Sequence, residues 1–200
     1  MRDKIKEKLI ALAKRGSGVF TTSKAVRAGV SSRTLYRLRD KREIVAISRG
    51  VYQLAGQDSI TPDYAALGQR VPNGVVCMIS ALYHHGLTTE IPREIHIAVS
   101  RNASVPKIDY PTVRIFRMSP GSFAAGVQQK EIGGVTMNIF SPEKTIADSF
   151  KYRELFGMAL AVEALKNYLS QPDSRPTKVL EMATICRVGT IIKPYLEALL

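Results

Sequence analysis

The sequence predicts an α+β protein whose first part holds helices and a short hairpin, and whose longer second part has its strands early and its helices late. Three observations predict this order. Apolar residues recur at helical spacing through the first 41 residues, short β-prone runs follow, and SPEKTIADSF (141–150) opens a late helical stretch. The turn-rich linker AGQDSITP (55–62) places a boundary near residue 58, which gives parts 1–58 and 59–200.

Positive charge is concentrated at the start of the chain. The 200 residues carry a formal net charge of +12, with 29 basic and 17 acidic side chains. Residues 1–60 hold 14 of the basic and 5 of the acidic ones, a net +9, which leaves +3 for the remaining 140 residues. A local excess of this kind favours a surface that binds a polyanion. The alternative is that the charge serves solubility alone.

Three helices are predicted before residue 42. The first spans about 3–14, the second starts at Thr21 or Thr22, and the third is capped by Ser31 or Ser32 and ends near Lys41. Ala25 is small enough to let two helices cross closely, and Gly29 can take the left-handed conformation of a short inter-helix turn. This combination is typical of a helix-turn-helix.

The third helix offers a basic face. Val30, Leu35 and Leu38 supply its buried side. The opposite side can lie in a DNA major groove, with Ser32 and Arg33 of the first turn at base edges. The other predicted DNA contacts, directed mainly at phosphates, are Thr22, Tyr36, Arg37, Arg39, Lys41 and Arg42. A solvated helix face is the alternative for the arginines, and packing at the domain edge is the alternative for Tyr36.

A β-hairpin follows this helix. Residues 43–48 and 51–54 are β-prone and flank Arg49-Gly50, a tight turn. Together with the preceding helices, this hairpin completes the outline of a winged helix-turn-helix. Arg49 at its tip can reach a phosphate or the minor groove. The alternative is that Arg49 only solubilises an exposed turn.

The second part is predicted to be mixed α/β. Thr61 caps its first helix and Ser141-Pro142 opens a later one. The other predicted segments are an apolar helix over 75–85, strands 94–99 and 112–118, a hairpin 127–132/135–140 with a Gly133-Gly134 turn, helices 154–169 and 176–187, and a last helix from Lys193.

Polar residues of the second part are candidates for chemistry. The best set is Glu94, His96, Glu143, Lys144 and Asp148. Helical spacing predicts that Lys144, Asp148 and Lys151 form an exposed salt-bridge ladder, and that Glu143 is a cap or part of a buried ion pair. With three histidines and no phosphate loop or nucleophile elbow, the sequence predicts no catalytic residue, no metal site and no cofactor.

The cysteines and the N-terminus predict a cytoplasmic protein. Cys77 and Cys186 lie in apolar contexts and are expected to be free, buried thiols in a reducing compartment. The charged first helix lacks the apolar core of a signal peptide, and no segment approaches a membrane span of about 20 apolar residues.

Four motifs resemble a known family. SRGVYQL (48–54), ISALYHHGL (79–87), IHIAVS (95–100) and SPEKTIADSF (141–150) occur in the order found in the AbiEi-type antitoxins of type IV toxin–antitoxin systems, which act in abortive infection. The resemblance implies a winged helix that binds double-stranded operator DNA and represses its own operon. It also implies a C-terminal domain that counteracts a co-encoded nucleotidyltransferase-like toxin without a stable complex. We expect a monomer or weak dimer that is cooperative on DNA, with no membrane association.

Two other functions stay open at this point. The first is a DNA-tethered enzyme, a nuclease or a modifier, that uses Glu94, Glu143 and Asp148; clustering of these carboxylates at metal-bridging distance would favour it. The second is a ligand-responsive regulator, which requires an enclosed apolar pocket in the C-terminal domain. Carboxylates that are dispersed or paired with lysines would favour the non-enzymatic antitoxin.

Overall fold

The computed structural model describes residues 2–16, 18–56, 62–132 and 134–200. The predicted boundary near residue 58, the predicted cap Thr61 and the turn residue Gly133 lie outside these ranges. The chain forms two compact units. The first comprises Met1–Asn73, Val105–Thr112 and Glu131–Met137, and the second comprises Gly74–Ser104, Val113–Lys130 and Asn138–Leu200.

The N-terminal unit has the element order of a winged helix-turn-helix. Its elements are α1 (Arg2–Arg15), β1 (Val19–Thr21), α2 (Thr22–Arg27), α3 (Ser32–Asp40), β2 (Ile44–Ser48), β3 (Val51–Leu54) and α4 (Pro62–Arg70). The three strands form an antiparallel sheet in the order β1-β3-β2. The helices and the hairpin agree with the sequence prediction. Strand β1 was not predicted, because three residues are too few to show an alternating pattern.

One apolar core holds this unit together. Phe20 of β1 is opposite Tyr52 of β3, and their rings stack with centroids 6.0 Å apart. Ala25 is fully buried, which allows the close helix approach that its size predicts. The other buried members come from α1, α3 and the strands, namely Leu9, Ala13, Val30, Leu35, Leu38, Ile44 and Leu54.

The remaining strands form a mixed five-stranded sheet in the order β6-β5-β4-β8-β7. They are β4 (Val75–Val76), β5 (Ile95–Ser100), β6 (Val113–Met118), β7 (Val127–Ile132) and β8 (Val135–Phe140). Strand β4 runs antiparallel to β5 and parallel to β8, and β5 runs parallel to β6. Strands therefore come before most helices of this part of the chain, as predicted.

The helices of this part are α5 (Met78–His84), α6 (Pro120–Ala124), α7 (Pro142–Lys151), α8 (Arg153–Phe156), α9 (Met158–Leu169), α10 (Pro176–Cys186) and α11 (Gly189–Leu199). Three predictions differ from the structure. The predicted helix 75–85 begins with strand β4. The predicted helix 154–169 is divided at Gly157, which has a φ of +90°. The last helix begins before Lys193, at Gly189, and contains Pro194.

The late helices share one apolar core. Ile146, Ala147 and Phe150 of α7 are fully buried and pack with side chains of α9, α10 and α11. Ser141 caps α7 by accepting a hydrogen bond from the Lys144 backbone N–H, and Pro142 occupies the first turn, as predicted. Both cysteines are free and buried, which confirms the expectation for Cys77 and Cys186.

Candidate nucleic-acid interface

Helix α3 is held by an N-terminal cap and by its buried inner face. The Ser31 hydroxyl accepts a hydrogen bond from the backbone N–H of Thr34 at 3.2 Å, so Ser31 rather than Ser32 is the N-cap. Leu35 and Leu38 are 0% and 8% exposed and anchor the inner face. The helix therefore has one fixed outer face.

The outer face carries the predicted DNA-contact residues. Ser32, the first helical residue, is half-buried, and Arg33 in the same turn is exposed. Tyr36 is 50% exposed. The remaining exposed members are Arg37, Arg39, Lys41 and Arg42. Apart from the half-buried Ser32, the predicted α3 residues and the two that follow them are thus exposed, and we call them the basic surface of α3.

Arg39 has partners of its own within this surface. Its Nη2 lies 2.8 Å from Oδ1 of Asp40, and its guanidinium carbon lies 5.3 Å from the centre of the Tyr36 ring. The hydrogen bond with Asp40 raises the pKa of Arg39 above its usual range. Arg39 is therefore the member of the surface whose charge is partly compensated.

The turn before α3 has the conformation that Gly29 was expected to supply. Gly29 has a φ of +82°. The backbone N–H of Val30 donates to the carbonyl of Ala25 at 2.9 Å, a bond that closes the end of α2. Left-handed backbone here sets the direction in which the chain enters α3.

The wing lies directly beside the start of α2. Its turn residue Gly50 has a φ of +74°, and Arg49 is exposed. The backbone N–H and the hydroxyl of Thr22 both donate to the carbonyl of Gly50, at 2.8 and 3.3 Å. Thr22, a predicted DNA contact, is half-buried and joins the wing turn to the helix-turn-helix.

The candidate catalytic residues lie in the second unit, and two of them contradict the prediction. Lys144 and Asp148 are 0% exposed, so they do not form an exposed ladder. Lys144 Nζ lies 2.5 Å from Asp148 Oδ2 and 4.2 Å from the centre of the Phe140 ring. The Cys186 thiol donates to the other oxygen of Asp148 at 3.3 Å. Only Lys151 of the predicted ladder is exposed.

Burial controls the ionisation of this cluster. It raises the pKa of Asp148 above its usual range, although Lys144 opposes the change. Burial and the neighbouring Asp148 raise the pKa of the Cys186 thiol to about 11. Both effects keep the thiol protonated and unreactive.

The other two carboxylates have separate partners. Glu143 accepts a hydrogen bond from the Tyr168 hydroxyl at 2.8 Å. Burial alone would raise the pKa of Glu143, but hydrogen bonds from its own backbone N–H, Ser141 and Tyr168 hold that pKa below 4.5. Glu94 lies 3.7 Å from Arg114 and 3.6 Å from His96. Within the described ranges, no three His, Cys, Asp or Glu side chains are placed to hold a metal ion.

A family model matches the N-terminal segment. Residues 7–55 match the model described as "Transcriptional regulator, AbiEi antitoxin". The predicted resemblance to AbiEi-type regulators is thereby confirmed for this segment. No curated protein sequence matches the chain.

A solved structure shares the fold. The crystal structure of the RV2827C protein from Mycobacterium tuberculosis aligns with a TM-score of 0.55 and 15% sequence identity, over 94% of this chain and 79% of that chain. The similarity supports the predicted α+β architecture. Among the helices that the structure describes, none has both the length and the apolar character to cross a membrane.

The segment that matches the AbiEi model contains every predicted DNA contact from Thr22 to Arg49. Helix α4 lies beyond it, yet its residues Gln69 and Arg70 touch α2 and the wing. Sequence reasoning missed them, because it assigned everything after residue 58 to the second part. The amphipathic spacing of Tyr64, Leu67 and Val71 indicated a helix but carried no information about its partner.

Proposed function

We propose that this chain is a double-stranded DNA-binding regulator that represses its own operon and acts as the antitoxin of a type IV toxin–antitoxin system. The observation that carries the DNA-binding role is the exposed basic face of α3 within a winged helix. The match of residues 7–55 to a family of transcriptional regulators supports it independently.

The geometry suggests how DNA would be bound. Helix α3 enters the major groove with Ser32 and Arg33 at base edges, because the N-terminal turn of a recognition helix reaches deepest. Arg37, Lys41 and Arg42 bind phosphates along the groove, and Arg39 does so against the competition of Asp40. Arg49 extends from the wing to the neighbouring backbone or minor groove. The protein binds as a monomer or weak dimer with cooperativity on DNA.

The antitoxin role rests on the family resemblance. The proposed target is a co-encoded nucleotidyltransferase-like toxin in the cytoplasm, which the protein counteracts without a stable complex. The action requires no cofactor and no catalysis by this chain. The non-enzymatic hypothesis is supported by Glu94, Glu143 and Asp148, because each of these carboxylates has a different partner. Asp148 is paired with a lysine, the arrangement expected of a structural ion pair.

Binding to the DNA upstream of the protein's own operon tests the regulatory role. Fluorescence anisotropy with the full-length protein should show saturable binding that is tighter for this DNA than for a shuffled sequence of equal composition. Affinity should fall with added salt, because basic side chains release counterions from phosphates. The matched control removes residues 1–58. Undiminished affinity of that truncated protein would contradict the proposal.

A co-expression assay tests the antitoxin role. Cells that express the neighbouring nucleotidyltransferase-like toxin should resume growth when this protein is supplied from a second promoter. A variant with Arg33, Arg37 and Lys41 replaced by alanine should still rescue growth while losing operator binding. Absence of rescue by the wild-type protein would exclude the antitoxin role and leave the DNA-binding role standing.

A further inference from the structure

Helix α4 is built into the N-terminal unit. Ala65, Ala66 and Leu67 are at most 1% exposed, and the helix packs against strands β1 and β2. These are the two outer strands of the winged-helix sheet. The helix therefore covers the sheet from which the wing extends.

The last residue of α4 reaches the tip of the wing. Arg70 donates a hydrogen bond from Nη2 to the backbone carbonyl of Arg49. Carbonyls in a two-residue hairpin turn often face water, so a side chain that binds one restricts the turn. The Arg49 side chain itself is exposed.

Gln69, the residue before Arg70, reaches helix α2 of the helix-turn-helix. Gln69 accepts a hydrogen bond at Oε1 from Lys24 Nζ of α2 at 2.5 Å. The end of α4 thus contacts both the wing and α2, whose first residue also holds the wing turn. Two separate elements, α2 and α4, therefore hold the Arg49-Gly50 turn.

The hydrogen bond between Arg70 and the Arg49 carbonyl does not neutralise the charge of Arg70. The acceptor of Arg70 is a neutral carbonyl, so the bond leaves the positive charge uncompensated, unlike that of Arg39 beside Asp40. Arg70 Nε is buried and has no hydrogen-bond partner within the described residues. Burying part of a guanidinium costs free energy unless its other donors are engaged, which favours a fixed Arg70–Arg49 contact.

We infer that α4 belongs to the DNA-binding surface and that Arg70 is a positioning residue for the wing. By fixing the backbone of Arg49, Arg70 holds that side chain in the orientation that meets the phosphate backbone. Preorganisation of this kind raises affinity because less conformational freedom is lost on binding. The inference rests on the proposed DNA-binding function and adds a fourth helix to it.

A double-mutant cycle in the full-length protein tests this role. Arg70→Met keeps the apolar stem but removes the hydrogen bond and the charge. We expect it to weaken binding to the operon DNA about tenfold, equivalent to about 1.4 kcal/mol, and to lower the salt slope by about 1. In an Arg49→Ala background the same change should have almost no effect, because Arg70 acts through Arg49.

Two further variants complete the test. Arg70→Lys keeps the charge but shortens the donor, and we expect an intermediate loss that also vanishes in the Arg49→Ala background. Lys14→Ala, which removes an exposed positive charge from α1, is the matched control and should bind nearly as the wild type. Thermal midpoints of all variants establish that they fold.

The outcomes separate the two claims. Full affinity of both Arg70 variants, or losses that add to that of Arg49→Ala, would overturn the positioning role. Additive losses would instead show that Arg70 meets DNA by itself. A wild-type protein that does not bind the operon DNA would overturn the proposed function as a whole.

Discussion

Helices α2 and α5 are followed by a glycine in the left-handed conformation, whereas α3 and α10 are followed by an arginine in that conformation. Gly29 and Gly86 have φ values of +82° and +66°, whereas Arg42 and Arg187 have 57° and 61°. Each is followed by a backbone N–H that bonds five residues back, for example Glu43 to Leu38 at 2.9 Å. A left-handed conformation costs a residue with a Cβ about 1–2 kcal/mol. Arg42 and Arg187 therefore each carry a backbone strain that a glycine in the same place would avoid.

The first prediction compares these two arginines. Arg42→Gly should relieve the backbone strain and stabilise the protein by about 1 kcal/mol, while it weakens binding to all DNA sequences alike. Arg187→Gly should stabilise to a similar degree without changing DNA affinity, because it lies in the second unit. Chemical denaturation and anisotropy measure the two effects. An Arg42→Gly variant with unchanged DNA affinity would remove Arg42 from the interface.

The second prediction separates base contacts from phosphate contacts. Arg33→Ala should weaken specific binding by about 1–3 kcal/mol and leave non-specific binding nearly unchanged. Arg39→Ala should weaken both kinds and flatten the salt dependence. Asp40→Ala is the control, since it frees the Arg39 guanidinium and should strengthen binding to any sequence. Equal losses on operator and shuffled DNA for Arg33→Ala would contradict base reading.

Sequence reasoning at this scale placed side chains on the correct face of α3 but did not give their contacts. Helical periodicity is enough to bury Leu35 and Leu38 and to expose Arg33 and Arg37. The pairing of Arg39 with Asp40 depends on rotamers, which periodicity does not contain.

At the scale of elements, helix α7 shows where a charge pattern misleads. The cap at Ser141 and the apolar face were predicted, yet Lys144 and Asp148 are buried as well. Space for Lys144 comes from Gly126, where a Cβ would lie 2.7 Å from the Cβ of Lys144. The sequence alone could not connect these two residues, because they are distant along the chain and meet only through tertiary packing.

The third prediction concerns this buried pair. Lys144→Met leaves a buried carboxylate without its cation and should cost about 3–5 kcal/mol of stability. The double variant Lys144→Met, Asp148→Leu should recover most of this loss, because apolar residues of similar volume replace both charges. Chemical denaturation followed by circular dichroism measures both.

An exposed pair in α11 provides the comparison. Lys193 and Glu197 also stand four residues apart, at 3.7 Å, but each is 65% exposed. Lys193→Met should change stability by less than about 0.5 kcal/mol. Similar losses at the two sites would mean that burial of Lys144 does not matter.

At the scale of the whole molecule, all three histidines favour the neutral form. Burial is the first cause that lowers the pKa of His84, His85 and His96 below 6.5. His96 is the most buried of them, at 3% exposure, and its ring packs against those of Phe116 and Phe156, with centroids 5.4 Å apart in each pair. A base whose pKa is lowered on folding contributes stability that is present above pH 6.5 and is lost as the pH falls through the folded-state pKa.

The fourth prediction follows from the lowered pKa values of the histidines. The unfolding midpoint of the wild-type protein should fall as the pH drops below 6.5. His96→Met should reduce this dependence, since it removes a titrating group whose Nδ1 has no hydrogen-bond partner among the described residues. His84→Gln, at a more exposed position, should reduce it less. An unchanged pH profile for His96→Met would exclude His96 as a cause of acid sensitivity.

The order of elements was predictable over most of the chain. The division into units was not, because each unit combines segments that are distant in the sequence. The N-terminal unit draws on residues 105–112 and 131–137 as well as its first 73 residues. Composition and turn residues indicate only where a local segment lacks regular secondary structure. The boundary near residue 58 stays a prediction, and contacts such as Tyr110 to Asp63 could not be derived from it.

The double hydrogen bond from Thr22 to Gly50 has a consequence for the kind of DNA site that fits. It couples the wing turn to the start of α2, and α2 is joined to α3 through the Gly29 turn, so wing and recognition helix keep a set separation. In the proposed mode of DNA binding, this fixed separation makes the affinity depend on the width of the groove beside the one that α3 enters, which varies with base composition. Operators with identical contacted bases but stiffer or narrower flanking steps should therefore differ in affinity.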